Sequence, residues 1–188
     1  MYSYKIVDKY NLVELVENVR NMGKTIVTTN GSYDLLHYGH VKSLEFSKSL
    51  GDVLILGVNS DESVRAYKGY DRPLIPEDER AYMLASLSCV DYVCLFDEID
   101  VGGALIKLVK PNIHTTASEW GVDCPERPLL DKYKIRLELI PKFKKLSTTD
   151  IIDRIIDIGI KNGCVPSKTL EQQREILDSS CCFGRGEV

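Results

Sequence analysis

The stretch that decides the fold reads Thr28-Thr29-Asn30-Gly31-Ser32-Tyr33-Asp34-Leu35-Leu36-His37-Tyr38-Gly39-His40. Residues 24–29 predict a buried strand, and residues 41–50 carry apolar side chains at helical spacing. A glycine-containing turn from strand to helix is typical of phosphate sites, because the first helical N–H groups have no partner within the helix. His37 and His40 are expected on one side of the first helical turn.

Strands and helices are predicted to alternate along the rest of the chain. The predicted strands cover residues 24–29, 53–58, 92–96, 112–116 and 136–140, and the predicted helices cover residues 11–22, 41–50, 62–67, 77–87, 101–109 and 151–160. A helical turn is predicted at 129–134 and a further helix at 168–177. This alternation predicts a parallel sheet covered by helices on both faces.

Composition narrows the class of protein. The 188 residues are 44% hydrophobic with a net charge of −4, which argues against a general nucleic-acid binder. No run of about 18 apolar residues predicts a membrane span, and the first residues lack a signal core, so we expect a cytoplasmic protein. The six cysteines form no paired C-x-x-C pattern and predict free thiols, not a structural zinc site.

The pattern Gly-x-Tyr-Asp-x-x-His-x-Gly-His, together with Ser147-Thr148-Thr149 before a predicted helix, resembles the HxGH nucleotidyltransferase family, also called cytidylyltransferase-like. The resemblance covers residues 24–156 and extends to heptose-1-phosphate adenylyltransferases and glycerol-3-phosphate cytidylyltransferases. It implies transfer of NMP from an NTP to a phosphorylated small acceptor, with release of pyrophosphate. It also implies a homodimer and Mg²⁺ bound mainly through the nucleotide phosphates.

The resemblance assigns roles to the first motif. Transfer to an acceptor that is already a phosphate needs no protein nucleophile, but it needs in-line placement and stabilisation of phosphate charge. His37 and His40 would contact the triphosphate, and Lys42 would also reach phosphate. Thr29, Asn30, Gly31, Ser32 and Tyr33 would line the nucleotide through backbone groups, and Asp34 and Gly39 are also expected at the nucleotide. The alternatives are a helix cap for the histidines and a solvated Lys42. Asp34 would orient the loop, lie near magnesium or form a local Asx turn.

Two later clusters complete the implied site. Arg80 would bind the triphosphate, and Asn59, Lys68 and Arg72 would approach phosphates or the acceptor. Ser147, Thr148 and Thr149 would form a second anion site at a helix N-terminus, with Lys142 where the cytidylyltransferases carry an arginine. A solvated loop and a plain helix cap are the alternatives.

The segment 114–120 departs from the family pattern. Where heptose adenylyltransferases typically show Lys-Gly-x-Asp-Tyr, this chain has Thr116, Ala117, Glu119 and Trp120. Trp120 is expected either to stack on a ring of the substrate or to be buried. The loss of the lysine leaves both the acceptor and the choice between ATP and CTP open.

The alternation and the resemblance together predict an α/β fold, a Rossmann-like three-layer α/β/α sandwich with a parallel five-stranded sheet. Residues 1–160 would form the nucleotidyltransferase domain, and residues 161–188 a tail that is partly helical or disordered. ATP is favoured as donor, with a sugar 1-phosphate as acceptor. The alternatives are a CTP enzyme acting on a polyol or amino-alcohol phosphate, and a non-catalytic nucleotide-binding regulatory protein. A nicotinamide-binding dehydrogenase is disfavoured because no Gly-x-Gly-x-x-Gly follows the first strand.

Overall fold

The computed structural model of the protein describes residues 2–143 and 147–164. The strands are β1 (Ile26–Gly31), β2 (Val53–Asn59), β3 (Tyr92–Phe96), β4 (Ile113–Ala117) and β5 (Arg136–Ile140). The helices are α1 (Lys9–Asn21), α2 (Tyr38–Ser49), α3 (Asp61–Lys68), α4 (Glu77–Ala85), α5 (Val101–Val109), α6 (Arg127–Tyr133) and α7 (Thr148–Lys161), with short 3-10 helices at Tyr2–Lys5 and Ser118–Trp120. The described residues fall into two compact units, divided after residue 145.

The first unit is built on one five-stranded sheet. The strand order is β3-β2-β1-β4-β5, and every neighbouring pair is parallel. The predicted fold class is therefore confirmed. β1 lies at the centre, and the strand order reverses between β1 and β4, because β2 and β3 lie on one side of β1 whereas β4 and β5 lie on the other. In sheets of this kind ligands bind beyond the carboxyl ends of the strands at the reversal, which here is the end of β1.

Side chains of β1 alternate between two hydrophobic clusters, one on each face of the sheet. Val27 packs with Leu44 of α2 and Leu84 of α4, whereas Ile26 packs with residues of α1 and α5 such as Leu12. A strand buried on both faces needs apolar or hydrogen-bonded side chains throughout. Because β1 is packed on both faces, its position is fixed. The start of the turn that follows β1 is therefore fixed as well.

Most predicted elements are confirmed, with small shifts in their ends. The helices α2 and α7 each begin three residues before their predicted starts, and the turn predicted from residue 129 is a helix, α6, that begins at Arg127. A proline in its first turn suits a helix start, because the first N–H groups have no intrahelical partner. The predicted helix at 168–177 and the end of the tail lie outside the described residues. The proposed division at residue 160 stays a prediction.

Two further expectations concern the cysteines and membranes. The four cysteines in the described ranges are free, as predicted, and Cys94 and Cys124 are buried while Cys164 is exposed. None of the helices in the described part of the chain has the length and apolar character needed to cross a bilayer.

Candidate active site

The two histidines of the first motif meet at the start of α2. His37 is the N-cap residue, and its Nδ1 accepts a hydrogen bond from the backbone N–H of His40 at 3.4 Å. The two rings are stacked, with centroids 3.8 Å apart and planes inclined by 20°. The structure thus brings both rings to one side of the first turn, as the spacing predicts. It also shows that His37 caps the helix, which was the structural alternative.

His40 is a partly buried histidine that is neutral at pH 7. Its pKa is lowered to about 4, first by burial and then by the nearby His37 and Lys68, and a hydrogen bond to the Leu35 backbone opposes this shift. The Nδ1 atom of His40 is buried and has no hydrogen-bond partner among the described residues. A neutral imidazole carries one N–H donor and one acceptor nitrogen, and the bond to the Leu35 backbone, which raises the pKa, uses that donor.

Gly39 lies directly beneath the His37 ring. A Cβ at this position would stand 3.0 Å from Cε1 and 3.1 Å from Nδ1 of His37. The prediction assigned this glycine to close approach of the nucleotide, and that role stays a prediction. The structure supplies a separate reason for glycine, because any larger residue would displace the His37 ring from its place beside His40.

The turn before α2 is held from inside the protein. Tyr33 has a positive φ of 48°, and burial raises the pKa of its phenol while a hydrogen bond with the Thr29 side chain opposes the rise. The Thr29 hydroxyl also donates to the Thr115 carbonyl at 3.0 Å. The side chains of Thr29 and Tyr33 are therefore structural, and their predicted contact with the nucleotide would have to be made by backbone groups.

Asp34 connects this turn to the loop between α3 and α4. Its buried carboxylate, 2% exposed, accepts hydrogen bonds from Arg72 Nη1 at 2.7 Å, from Leu74 N at 2.7 Å and from Ile75 N at 3.1 Å. These bonds, and not a local Asx turn, satisfy the carboxylate. Of the alternatives for Asp34, the structure favours orientation of the loop.

Arg80 is fully enclosed, which differs from its predicted contact with the triphosphate. Its guanidinium donates to the carbonyls of Ser32 and Ile75, the latter at 2.9 Å, and to Asp61 Oδ1 at 2.7 Å. The cation therefore joins the β1–α2 turn, α3 and the following loop. Binding of triphosphate by Arg80 stays untested, and in the described structure its donors point to protein groups.

Lys68 is the cation that the structure brings to the histidines. Its ammonium donates to Ser32 Oγ at 2.9 Å, and burial is the largest cause that lowers its pKa. The neighbouring Tyr67 side chain also hydrogen bonds to Ser32. Ser32 is thus contacted by Tyr67 and Lys68 of α3 and, through its carbonyl, by Arg80 of α4. Tyr67 was missed, because no pattern in the sequence links it to residue 32.

Two predicted site residues have partners within the protein. Asn59 is buried, and its amide donates to Ser63 Oγ at 2.8 Å inside α3. The ammonium of Lys42 pairs with Glu45 at 2.7 Å on the exposed side of α2, which raises the lysine pKa. The predicted roles of Asn59 at the acceptor and of Lys42 at phosphate remain untested.

The segment that departs from the family pattern ends β4. Thr116 is buried within the sheet, whereas Trp120 is 63% exposed in the 3-10 helix that follows, so the expectation of a buried tryptophan is wrong. Lys142 pairs with Glu119 at 3.3 Å, and both side chains are mostly exposed. Contact of Trp120 or Lys142 with a substrate stays a prediction.

In the second unit, Ser147 is the N-cap of α7 and forms a capping box with Asp150. The serine hydroxyl accepts from Asp150 N at 3.2 Å, and Ser147 N donates to the aspartate at 2.6 Å. The helix cap that was the alternative to an anion site is therefore present. Thr148 and Thr149 occupy the first turn, and the predicted anion site of these three residues stays a prediction.

Within residues 2–143 and 147–164, no group of three or more histidines, cysteines, aspartates and glutamates could hold a metal ion. The two carboxylates beside the turn, Asp34 and Asp61, are each paired with an arginine.

Comparison with known proteins gives one family and several relatives. A sequence model of the family described as cytidylyltransferase-like matches residues 28–154. Curated relatives named bifunctional protein HldE include those of Syntrophotalea carbinolica, 47% identical over 160 residues and 83% of this chain, and of Aliarcobacter butzleri, 46% identical over 143 residues and 76% of this chain. The chain spans only about a third of the length of these relatives, 32% and 29% respectively.

Some solved structures are also similar to this chain. The lipopolysaccharide core biosynthesis protein from Thermoplasma volcanium GSS1 is 31% identical, with a TM-score of 0.55 over 65% of this chain and 100% of that one. The pantoate-beta-alanine ligase from Francisella tularensis is 17% identical, with a TM-score of 0.54 over 78% of this chain and 75% of that one. The second likeness shows the fold alone.

Proposed function

This chain belongs to the cytidylyltransferase-like family, and from that premise we propose that it transfers AMP from ATP to a sugar 1-phosphate and releases pyrophosphate. The identity of about 46% to relatives named bifunctional protein HldE supports this assignment. So does the sequence resemblance to heptose-1-phosphate adenylyltransferases, which makes a heptose 1-phosphate the first acceptor to test. CTP is the alternative donor.

The observation that carries the proposal is the stacked His37–His40 pair at the N-terminus of α2, with the Lys68 ammonium nearby on Ser32. Free N–H groups and the helix dipole favour an anion at such an end. Hydrogen-bond donors and cations arranged in advance stabilise charge that develops in a transition state. A polyphosphate is the ligand that best suits this combination.

In the proposed reaction, an oxygen of the acceptor phosphate attacks the α-phosphorus of ATP. The new bond joins that oxygen to the α-phosphorus, and the bond from the α-phosphorus to the bridging oxygen of the β-phosphate breaks, so that pyrophosphate leaves. On nucleotide binding, the ring N–H of His40 would turn from the Leu35 backbone to the phosphate oxygens, while Lys68 balances the charge that builds on them. His37 holds the His40 ring in place through the stack.

Magnesium belongs to the proposal through the family resemblance. When bound, it neutralises phosphate charge and orients the triphosphate. Because Asp34 and Asp61 are each paired with an arginine, the residues described here fit a metal that is held by the nucleotide.

The test is a pyrophosphate-release assay with ATP and CTP, each against a panel of heptose, polyol and amino-alcohol phosphates. We expect turnover with ATP and a heptose 1-phosphate. His40→Ala should lower kcat at least about 100-fold, since one preorganised donor has an effect of this size. Ser49→Ala, in the exposed last turn of α2, is the control that should keep full activity. A preference for CTP would contradict the adenylyl assignment.

The second candidate, a nucleotide-binding regulatory protein, is favoured by one observation. Thr116 is a small, buried residue where the similar enzymes carry a lysine. Binding of ATP without pyrophosphate release on any acceptor would support this candidate. Turnover on a heptose 1-phosphate that appears only in the Thr116→Lys, Ala117→Gly variant would show that this segment determines the acceptor.

A further inference from the structure

We propose that Asp34 is a positioning residue, whose buried carboxylate holds the 69–76 loop against the β1–α2 turn and so keeps Lys68 beside His40. The role of Lys68 in catalysis rests on the proposed function, whereas the contact by which Asp34 holds the loop does not. The predicted contact of Asp34 with the nucleotide stays untested and is not part of this proposal. Asp34 would act through the loop and Lys68, which separates it from the phosphate ligands that the family resemblance implies.

The first support is that three donors from one loop converge on one carboxylate. Arg72 bonds to Oδ2, and the backbone N–H groups of Leu74 and Ile75 both bond to Oδ1. The Asp34 side chain is 2% exposed and that of Arg72 is 21% exposed, so the ion pair is poorly screened by water. Loss of one partner of such a pair is strongly destabilising because the other charge stays buried.

The second support is the position of Lys68 at the start of this loop. Lys68 ends α3, and its ammonium bonds to Ser32, two residues before Asp34. Gly69 follows with a φ of +91°, a conformation that glycine adopts easily. The contacts of Asp34 with residues 72–75 therefore hold the segment that follows Lys68 and Gly69.

The third support is that both oxygens of Asp34 are already used. A metal ion at Asp34 would have to displace Arg72 or the two backbone N–H groups, which would then be left without these bonds. The geometry therefore fits a positioning role and not the magnesium contact that the sequence left open. The two roles differ in their effect on the magnesium requirement.

The protein should stay folded without this contact, because a separate set of bonds joins the same segments. Arg80, fully buried, bonds to the carbonyls of Ser32 and Ile75 and to Asp61. Asp34→Asn keeps the shape of the side chain and one carbonyl acceptor, but it loses the negative charge that faces Arg72. The change should therefore loosen the loop while leaving the sheet intact.

The first experiment is limited trypsin cleavage of the nucleotide-free protein, with the fragments identified by mass spectrometry. Cleavage of the Lys68–Gly69 bond reports opening of the loop. The Arg72–Pro73 bond within the loop is unsuitable, because trypsin does not cleave before proline. When opening is fast relative to cleavage, the rate follows the population of the open loop. We expect Asp34→Asn to raise cleavage after Lys68 at least about tenfold. Asp131→Asn, which breaks an exposed pair with Arg127, should leave the rate unchanged.

If Asp34→Asn fails to fold, the Asp34→Asn, Arg72→Gln variant serves instead, because it also removes the unpaired arginine charge. Faster cleavage after Lys68 is expected there too. Cleavage at the wild-type rate in whichever variant folds would overturn the proposal. This readout needs no turnover, so it stands even if the proposed reaction proves wrong.

The second experiment measures kcat and KM for Asp34→Asn, Lys68→Ala and the double variant. Because Asp34 acts through Lys68, the double variant should be no worse than Lys68→Ala alone, and the two effects should not add. The magnesium concentration for half-maximal activity should be unchanged by Asp34→Asn. Additive effects, or a raised magnesium requirement, would overturn the positioning role. Absence of turnover in the wild type would instead count against the proposed function.

Discussion

His114 is a buried residue whose protonation should weaken the fold. Its Nδ1 lies 2.8 Å from Thr28 Oγ1, its Nε2 has no hydrogen-bond partner among the described residues, and burial lowers its pKa from 6.5 to about 4. Below pH 6.5 the unfolded chain therefore binds a proton that the folded protein does not take up until about pH 4. Stability must fall over this interval, by up to about 1.4 kcal/mol per pH unit. His40 contributes in the same direction.

We expect urea unfolding of the wild type to show this loss between pH 7 and pH 5. His114→Leu removes one titrating group. The free energy of unfolding of this variant should therefore change less steeply with pH than that of the wild type, even if the two proteins differ in stability at pH 7. The comparison of the two slopes is the measurement. Equal slopes in the two proteins would contradict a pKa lowered by burial at this residue.

At the scale of residues, the sequence predicts short-range geometry well. The spacing of His37 and His40 places them on one turn because helix geometry alone determines it. The partners of Asp34 and the burial of Arg80 could not be predicted. They depend on residues such as Arg72 and Asp61, which the fold brings from distant parts of the chain.

At the scale of elements, the strands and longer helices followed from apolar periodicity, because both faces of the sheet are covered. The 3-10 helices at Tyr2–Lys5 and Ser118–Trp120 were missed. Each is too short to show a period, and 3-10 turns commonly serve as connectors. The start of α6 was missed because its pattern began within a loop rich in charge and proline.

The packing of α5 on β2 gives a prediction at this scale. A Cβ on Gly57 would stand 2.9 Å from Val101 Cγ1 and 3.1 Å from Leu105 Cδ2. Gly57→Ala should therefore destabilise the protein by about 1–3 kcal/mol through overpacking. In a Val101→Ala background the same change should be less harmful, because the closer of the two contacts is then gone. The measurement is the denaturant midpoint of the wild type, the two single variants and the double variant. Equal effects of Gly57→Ala in the two backgrounds would contradict the close approach of α5 to β2.

At the scale of the first unit as a whole, the N-terminal segment closes one edge of the sheet. Ile6 forms a parallel bridge with Val93, and Val7 N donates to the Val93 carbonyl at 2.9 Å. The Lys5 ammonium donates to the carbonyls of Leu87 and Val90 at 3.2 and 2.7 Å. These contacts join residues more than eighty positions apart, so the sequence patterns gave no sign of them.

We expect Lys5→Met to lower the free energy of unfolding by about 1–3 kcal/mol. The change keeps most of the aliphatic chain but leaves two part-buried carbonyls without their charged donor. Lys107→Met, at an exposed position of α5, is the control and should change stability by less than about 0.5 kcal/mol. Thermal or urea unfolding measures both, and similar values for the two variants would show that the Lys5 contacts contribute little.

The bridge between Ile6 and Val93 also bears on aggregation. An edge strand with unpaired N–H and C=O groups is a template on which strands of other chains can add. In this protein β3 is such an edge, and a short segment at the start of the chain covers part of it. Proteolytic loss of that segment would leave the candidate active site unaltered in sequence while exposing the template. The protein would then lose activity through self-association while its catalytic groups are still intact.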